Sequence, residues 1–187
     1  MQTAPQPTLY DALTALPEGL VGEILDGQLH TQPRPSGRHA RAESALHSKL
    51  FRGYDEGDGG PGGWWLLIEP ELHFVRDREV AVPDIAGSRR ERLPRLPDDQ
   101  RFEIVPDWLC EILSPSTESK DRRIKMPLYA RYGVRHVWLV DPVAKTLEAY
   151  TLVEGAWKAT GAYRGDEAGV RAEPFAQISI DLASLWT

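Results

Sequence analysis

The sequence predicts a mixed α/β domain, and three stretches carry that prediction. Trp108–Leu113 is an apolar run broken once, by Glu111, and bounded by turn residues. Such a run suits a strand covered on both faces of a sheet. A helix-periodic segment and a second apolar run, His136–Val140, follow it. Strand, helix and strand in that order make a βαβ crossover. Far upstream, Asp26-Gly27 lies between Glu23-Ile-Leu and Gln28-Leu-His, the favoured two-residue turn of a hairpin. Parallel and antiparallel pairing are therefore both expected.

At 187 residues the chain is expected to form one domain over 9–187, preceded by a flexible tail over 1–8. It is 41% hydrophobic and 27% charged, which favours neither disorder nor a coiled coil. A net charge of -6 excludes attachment to nucleic acid by bulk charge, so any such contact needs a local basic patch. Cys110 is the only cysteine, which excludes an internal disulfide and a cysteine-rich zinc site and is compatible with a reducing cytoplasm. No run approaches the ~20 apolar residues of a membrane span, and Met1–Thr8 lacks signal-peptide character. A cytoplasmic protein is the expectation.

In chain order, Leu9, Leu13 and Leu16 recur at helical spacing between Thr8 as cap and Pro17 as stop. The hairpin over Val21–Thr31 comes next. Ser36–Tyr54 is the longest N-terminal helix, with Ala42, Leu46, Leu50 and Tyr54 on one stripe. Asp55–Gly63, with five glycines, is a loop. Trp64–Ile68, Glu71–Val75 and Val80–Ala86 are expected as a three-stranded meander, followed by the arginine-rich loop Arg89–Arg101. Ser119–Tyr132 is helical and ends at Gly133. Pro127 inside it demands either a kink or a fresh start near Lys125. Strands at Thr146–Val153, Trp157–Tyr163 and Ala176–Ile180 and a helical turn at Leu182–Trp186 complete the chain.

Two carboxylates break the apolar pattern. Asp84 sits in Ala81-Val-Pro-Asp-Ile-Ala86 and Glu111 in the Trp108 run. An ionised carboxylate in such surroundings costs several kcal/mol unless a cation compensates it. A divalent ion between the two acids is the simplest compensation, with the Ile112 carbonyl as a further ligand. Magnesium or manganese would suit these hard oxygens. Lys120 and Lys125, just beyond the strand, could orient an attacking water or stabilise charge on a phosphate.

The motifs Val82-Pro-Asp-Ile85, Cys110-Glu-Ile-Leu-Ser-Pro-Ser116, Asp121-Arg-Arg-Ile-Lys125, Tyr129-Ala-Arg-Tyr-Gly-Val134 and Val137-Trp-Leu-Val-Asp-Pro142 carry a resemblance. In that order they resemble the Uma-type restriction-endonuclease family, within the PD-(D/E)XK nuclease superfamily. The resemblance spans roughly 9–150, and Glu23-Ile-Leu-Asp-Gly27 is similar to the family's N-terminal acidic hairpin. It implies a restriction-endonuclease-like fold, a central mixed sheet flanked by helices, and metal-dependent hydrolysis of DNA. On it, Asp84 and Glu111 match the two acids, Lys125 matches a lysine displaced to the following helix, and Glu23 is a candidate third acid. The pattern departs at position 113, where leucine stands for lysine. A homodimer follows only from the family analogy.

Blander readings stand beside these. Asp84 could be a turn residue after Pro83, Glu111 a core acid paired with Arg122 or Arg123, and Lys125 and Glu23 solvated groups. His39 and His47, eight apart on one helix, could both face a site, and the blander expectation makes them surface or helix-packing histidines. Ser114 and Ser116 are expected to cap the next helix, and Cys110 to face away from Glu111. The arginines of 89–101 are either a phosphate-binding surface or an ordinary solvated loop. Trp64, Trp65, Trp108 and Trp138 are expected in the core. Two further functions compete: a nuclease-like module that binds or assembles without cutting, and a glycoside hydrolase using the two carboxylates.

Overall fold

Two mixed sheets share the strands of the chain, seen in a computed structural model that describes residues 6–187. The expected tail over 1–8 falls mostly outside the described residues, and its last residue is a cap. Thr8 accepts from the Asp11 amide and Asp11 accepts from the Thr8 amide, closing a capping box on α1 (Leu9–Thr14). The hairpin strands β1 (Leu20–Leu25) and β2 (Gln28–Pro33) follow. Asp26 and Gly27 between them have φ of 49° and 73°, the paired left-handed conformation their turn demands. Ser36 caps α2 (Gly37–Leu50), which ends in a π-helical turn, Phe51–Asp55.

β3 (Trp64–Ile68) and β4 (Glu71–Val75) fall where the sequence puts them, but they enter different sheets. The expected third strand, Val80–Ala86, is two: β5 (Glu79–Ala81) beside β1 and β4, and β6 (Ile85–Arg89) beside β3. The meander is therefore not formed. Val82–Asp84 crosses from one sheet to the other, at a point where Pro83 has no amide to give a ladder.

β7 (Arg101–Phe102) and β8 (Trp108–Ile112) lead to α3 (Glu118–Lys120), a π-helical turn (Asp121–Lys125) and α4 (Met126–Tyr132). β9 (His136–Asp141) then pairs parallel to β8, completing the expected βαβ unit. Pro127 lies in the first turn of α4, directly after the π-helical turn, and Gly133 ends α4 at φ 79°. β10 (Thr146–Val153), β11 (Ala156–Arg164) and α5 (Ala183–Trp186) close the fold. The sheets run β2-β1-β5-β4-β7 and β11-β10-β9-β8-β6-β3.

No strand forms at Ala176–Ile180, where a single Val170–Ile180 bridge is found. The segment instead turns tightly to drive Phe175 into the core, against Tyr54, Trp64, Trp108 and Trp138 at centroid distances of 4.6 to 5.6 Å. Apolar residues cover both faces of β8. Trp108, Cys110 and Ile112 pack toward α2, and Leu109 and Leu113 toward α4. Cys110 thus faces away from Glu111, and Trp65, half-buried under Arg90, is the one of the four tryptophans on the rim.

Candidate active site

Asp84 stands one residue before β6. The Ile85–Cys110 pairing of β6 with β8 puts it one step further along, beside Glu111. Its side chain is only 13% exposed and both oxygens are occupied. Oδ2 accepts from the Ile112 amide at 2.5 Å, and Oδ1 lies 2.8 Å from Nε2 of His39. Its carbonyl accepts from the Glu69 amide at 2.9 Å. Asp84 is therefore no loose turn residue, since groups from β8, α2 and the β3–β4 turn hold it.

His39 corrects the expectation of a surface or packing histidine. It sits in the first turn of α2, 8% exposed, and turns inward to Asp84. Burial lowers its pKa, but the hydrogen bond and charge of Asp84 outweigh that and raise it. His47, two turns on, bonds the Leu66 carbonyl at 3.1 Å and packs on Phe51, away from the acids.

Glu111, Glu23 and Lys125 meet beneath the sheet end. Lys125 Nζ lies 2.8 Å from Glu111 Oε1 and 2.9 Å from Glu23 Oε1, donates to the Val82 carbonyl at 3.3 Å, and is 1% exposed. Neither a solvated lysine nor a solvated hairpin glutamate is left. Tyr129 donates its hydroxyl to Glu111, and Lys120 bonds Glu23 Oε2 and Gln32 Oε1 at 2.5 Å each. Arg122 is spent on Glu118 and Glu148, so Glu111 has no arginine partner there. Burial works against the charged form of Glu23, yet Lys125 and Lys120 together pull its pKa down to about 2. Burial also opposes charge on Lys125, but Glu111, Glu23 and Asp121 hold its pKa well up. Burial pushes Glu111 up, Lys125 opposes it, and Asp121, Asp84 and Glu23 add to the rise. Acids thus outnumber cations around this point.

A cleft of about 340 Å³ is lined by Asp84, His39, Glu69, Arg34, Ser114 and Ser116, and Glu23, Glu111 and Lys125 are not in its lining. Ser114 and Ser116 bond each other at 3.0 Å and give no side-chain cap to α3, contrary to expectation. Glu43, one turn after His39 on the same face of α2, is 6% exposed, and its Oε1 has no hydrogen-bond partner. Burial, Asp84 and Glu69 push its pKa up to about 7. From the sequence alone Glu43 has no assigned role, and His39 is a surface, packing or site-facing histidine. Their signal was a polar pair at i and i+4 on the stripe that continues through Leu46 and Leu50. Four arginines of the loop are paired, Arg90, Arg92, Arg95 and Arg101 with Asp55, Asp107, Asp98 and Asp77, while Arg89 is exposed and lies over the Trp64 ring.

A divalent ion fits this donor set. Asp84 and Glu111 are hard-oxygen carboxylates that the register of β6 with β8 sets next to each other, and near Asp84 a buried carboxylate oxygen on Glu43 stands without a hydrogen-bond partner. Among the described residues no three His, Cys, Asp or Glu side chains form a ready-made cage. Magnesium sites commonly take one or two carboxylates with water and phosphate completing the shell.

A family model described as "Uma2: Putative restriction endonuclease" matches residues 8–183. A solved structure from Anabaena variabilis, described as a "putative nuclease belonging to DUF820", superposes with a TM-score of 0.75 over 97% of this chain and 98% of that one, at 23% identity. That likeness establishes the fold. An uncharacterised protein of Synechocystis sp., slr1290, is 31% identical over 108 residues, 58% of this chain and 53% of its own length. The matched stretch is about half of that relative. No helix among the described residues is long and apolar enough to cross a membrane.

Proposed function

Because the chain belongs to the Uma2 restriction-endonuclease family, we propose that it is a metal-dependent DNA endonuclease acting at the Asp84–Glu111 pair. The observation that carries this is the meeting of Glu23, Glu111 and Lys125 from separate elements, with Asp84, which lines an open cleft, set next to Glu111 by the register of β6 with β8. Asp84, Glu111 and the Ile112 carbonyl would hold magnesium or manganese. When bound, the ion would supply a Lewis acid and a water of lowered pKa for phosphodiester hydrolysis. The remaining work falls to the chain. His39 fixes Asp84, and the Ile112 amide fixes its second oxygen. Lys125, kept charged by its carboxylates, is a poor base and a good donor. It suits orienting the attacking water and stabilising charge on the scissile phosphate. Glu23 is then the residue that holds Lys125 and Lys120 in position. The expected setting is the cytoplasm, and a homodimer would bring two such sites to the two strands.

The test is plasmid DNA with magnesium or manganese. Cleavage by the native protein, lost in Asp84→Ala and Glu111→Ala, is expected. No cleavage, or equal cleavage by both variants, overturns the reading. A second reading, a binding module that no longer cuts, is favoured by one observation: Glu111 is engaged by both Lys125 and Tyr129. Calorimetric titration with manganese separates the two, since the inert module would bind none at the acid pair.

A further inference from the structure

A second cleft, of about 330 Å³, lies on the other side of the α2 N-terminus. Three cations line it, Arg38, Arg41 and Lys145, between apolar walls of Pro142, Val143 and Trp186. No acid lines it, in a chain whose net charge is -6. Against that background, three cations facing one concavity are a local reversal of sign, and a concave wall concentrates their field.

The cations differ in how free they are. Arg41 donates to the Ser184 carbonyl at 3.1 Å and to the Thr187 carbonyl at 2.5 Å, which ties α5 to α2 and fixes one wall. Lys145 is exposed, with Asp166 only at 3.8 Å. Arg38 is exposed and has no carboxylate partner among the described residues, unlike Arg90, Arg92, Arg95 and Arg101. Holding such groups together without an acid costs mutual repulsion, which an anion would relieve.

The place of the cleft names the anion. Its lining includes Gly37, while the lining of the Asp84 cleft includes Ser36, the preceding residue. The two concavities therefore flank the first residues of α2. His39 turns from that helix toward Asp84, and Arg38 lines the cationic cleft. We infer that the cationic cleft binds the DNA backbone next to the cleavage site, so that a strand crosses the start of α2 from the Arg38–Lys145 cleft into the Asp84 cleft. This rests on the endonuclease reading for its substrate. Arg38 and Lys145 would hold phosphates, and Arg41 would shape the wall. Such contacts position the duplex and read no sequence.

The experiment measures binding of a fluorescein-labelled 20-base-pair duplex in EDTA, so that no strand is cut, across a series of salt concentrations. The double variant Arg38→Glu, Lys145→Glu should bind about tenfold more weakly or worse at low salt. Its plot of log affinity against log salt should be flatter by about 2, the loss of two phosphate contacts. The double variant to Gln should show a smaller change in the same direction. Arg95→Glu, whose partner is Asp98, should bind as the native protein does. Manganese titration and thermal midpoint check that the double variants keep the fold and the acid pair. Unchanged affinity and slope in the Glu double variant, or no DNA binding by the native protein, overturns the inference. If native binding depends on Arg38 and Lys145 but no metal cuts the DNA, this inference stands and the endonuclease reading falls. If the native protein cuts and charge reversal leaves binding unchanged, the reverse holds.

Discussion

Replacing Lys125 by methionine tests the centre of the site through stability alone. The cation is enclosed with Glu23 and Glu111, with Asp121 at 3.9 Å and Lys120 beyond Glu23. Glu23 alone gives the scale. Its pKa falls from 4.5 to about 2, a difference of roughly 3 kcal/mol at ~1.4 kcal/mol per unit, drawn from the two lysines together. Removing one lysine forfeits part of that and leaves two buried carboxylates under-compensated. Breaking a buried pair in this way costs about 3–5 kcal/mol. In a chain of this length that is on the order of 10 °C in thermal midpoint. The sign with pH follows. In the native protein the depressed Glu23 contributes stability above pH 4.5, and that contribution is lost as pH falls toward 2. Without Lys125, burial dominates and the folded-state pKa values of Glu23 and Glu111 rise. Their ionisation then penalises the fold at neutral pH, and protonation relieves it below about 4.5. Urea denaturation at pH 7 and pH 4.5 reads both effects. A cost under about 0.5 kcal/mol at pH 7, or one that is the same at both pH values, refutes the reasoning.

Glu43→Gln should stabilise the protein. The folded-state pKa of Glu43, about 7, lies above 4.5, so ionisation weakens the fold as pH rises through that range. Discounted for solvent screening, the gain is about 1 kcal/mol at pH 8 and vanishes below pH 4.5, measured by urea denaturation. The same change should weaken manganese binding in a calorimeter if Glu43 faces the ion. Gly27→Ala should cost about 1 kcal/mol, because φ of 73° suits glycine, and thermal melts would show it. Phe175→Ala should cost about 3–5 kcal/mol by the same assay, since its ring contacts four buried aromatic residues.

What could be read from the sequence was local and strongly marked. The Asp26-Gly27 turn, the Trp64 and Glu71 strands and the βαβ unit each follow from a few adjacent residues. Glu111 announced itself through the cost of placing a carboxylate in an apolar run. The single run Val80–Ala86 concealed a change of sheet, because periodicity tells which residues are extended but not which neighbour they pair with. His39 and Glu43 were hidden for a related reason. Their stripe is visible in the sequence, but that it faces Asp84 depends on how α2 packs over the sheet. The fate of the arginine loop depended on acids up to 35 residues distant in the chain, and no local pattern predicts those pairs.

The leucine at position 113 has a physical reason visible only in the fold. Leu113 shares the face of Glu111 and is 2% exposed, within the cluster that includes Met126, Leu128 and Tyr129. A lysine there would lie under α4, with its charge pressed into apolar side chains. The cation reaches Glu111 from the helical segment instead. The π-helical turn Asp121–Lys125 ends where α4 begins, and it directs Lys125 inward rather than to solvent. Such single turns often occur where a helix must redirect a functional side chain. Glu23 on β1 then meets the far side of the same ammonium group, so the N-terminal hairpin belongs to the site. This arrangement predicts that Leu113→Lys will not rescue Lys125→Met. The new ammonium would enter the apolar cluster, and urea denaturation should find the double variant less stable than Lys125→Met alone. Equal or greater stability, with metal-dependent cleavage restored, would mean that the two positions are interchangeable and that the helix is not the required source of the charge.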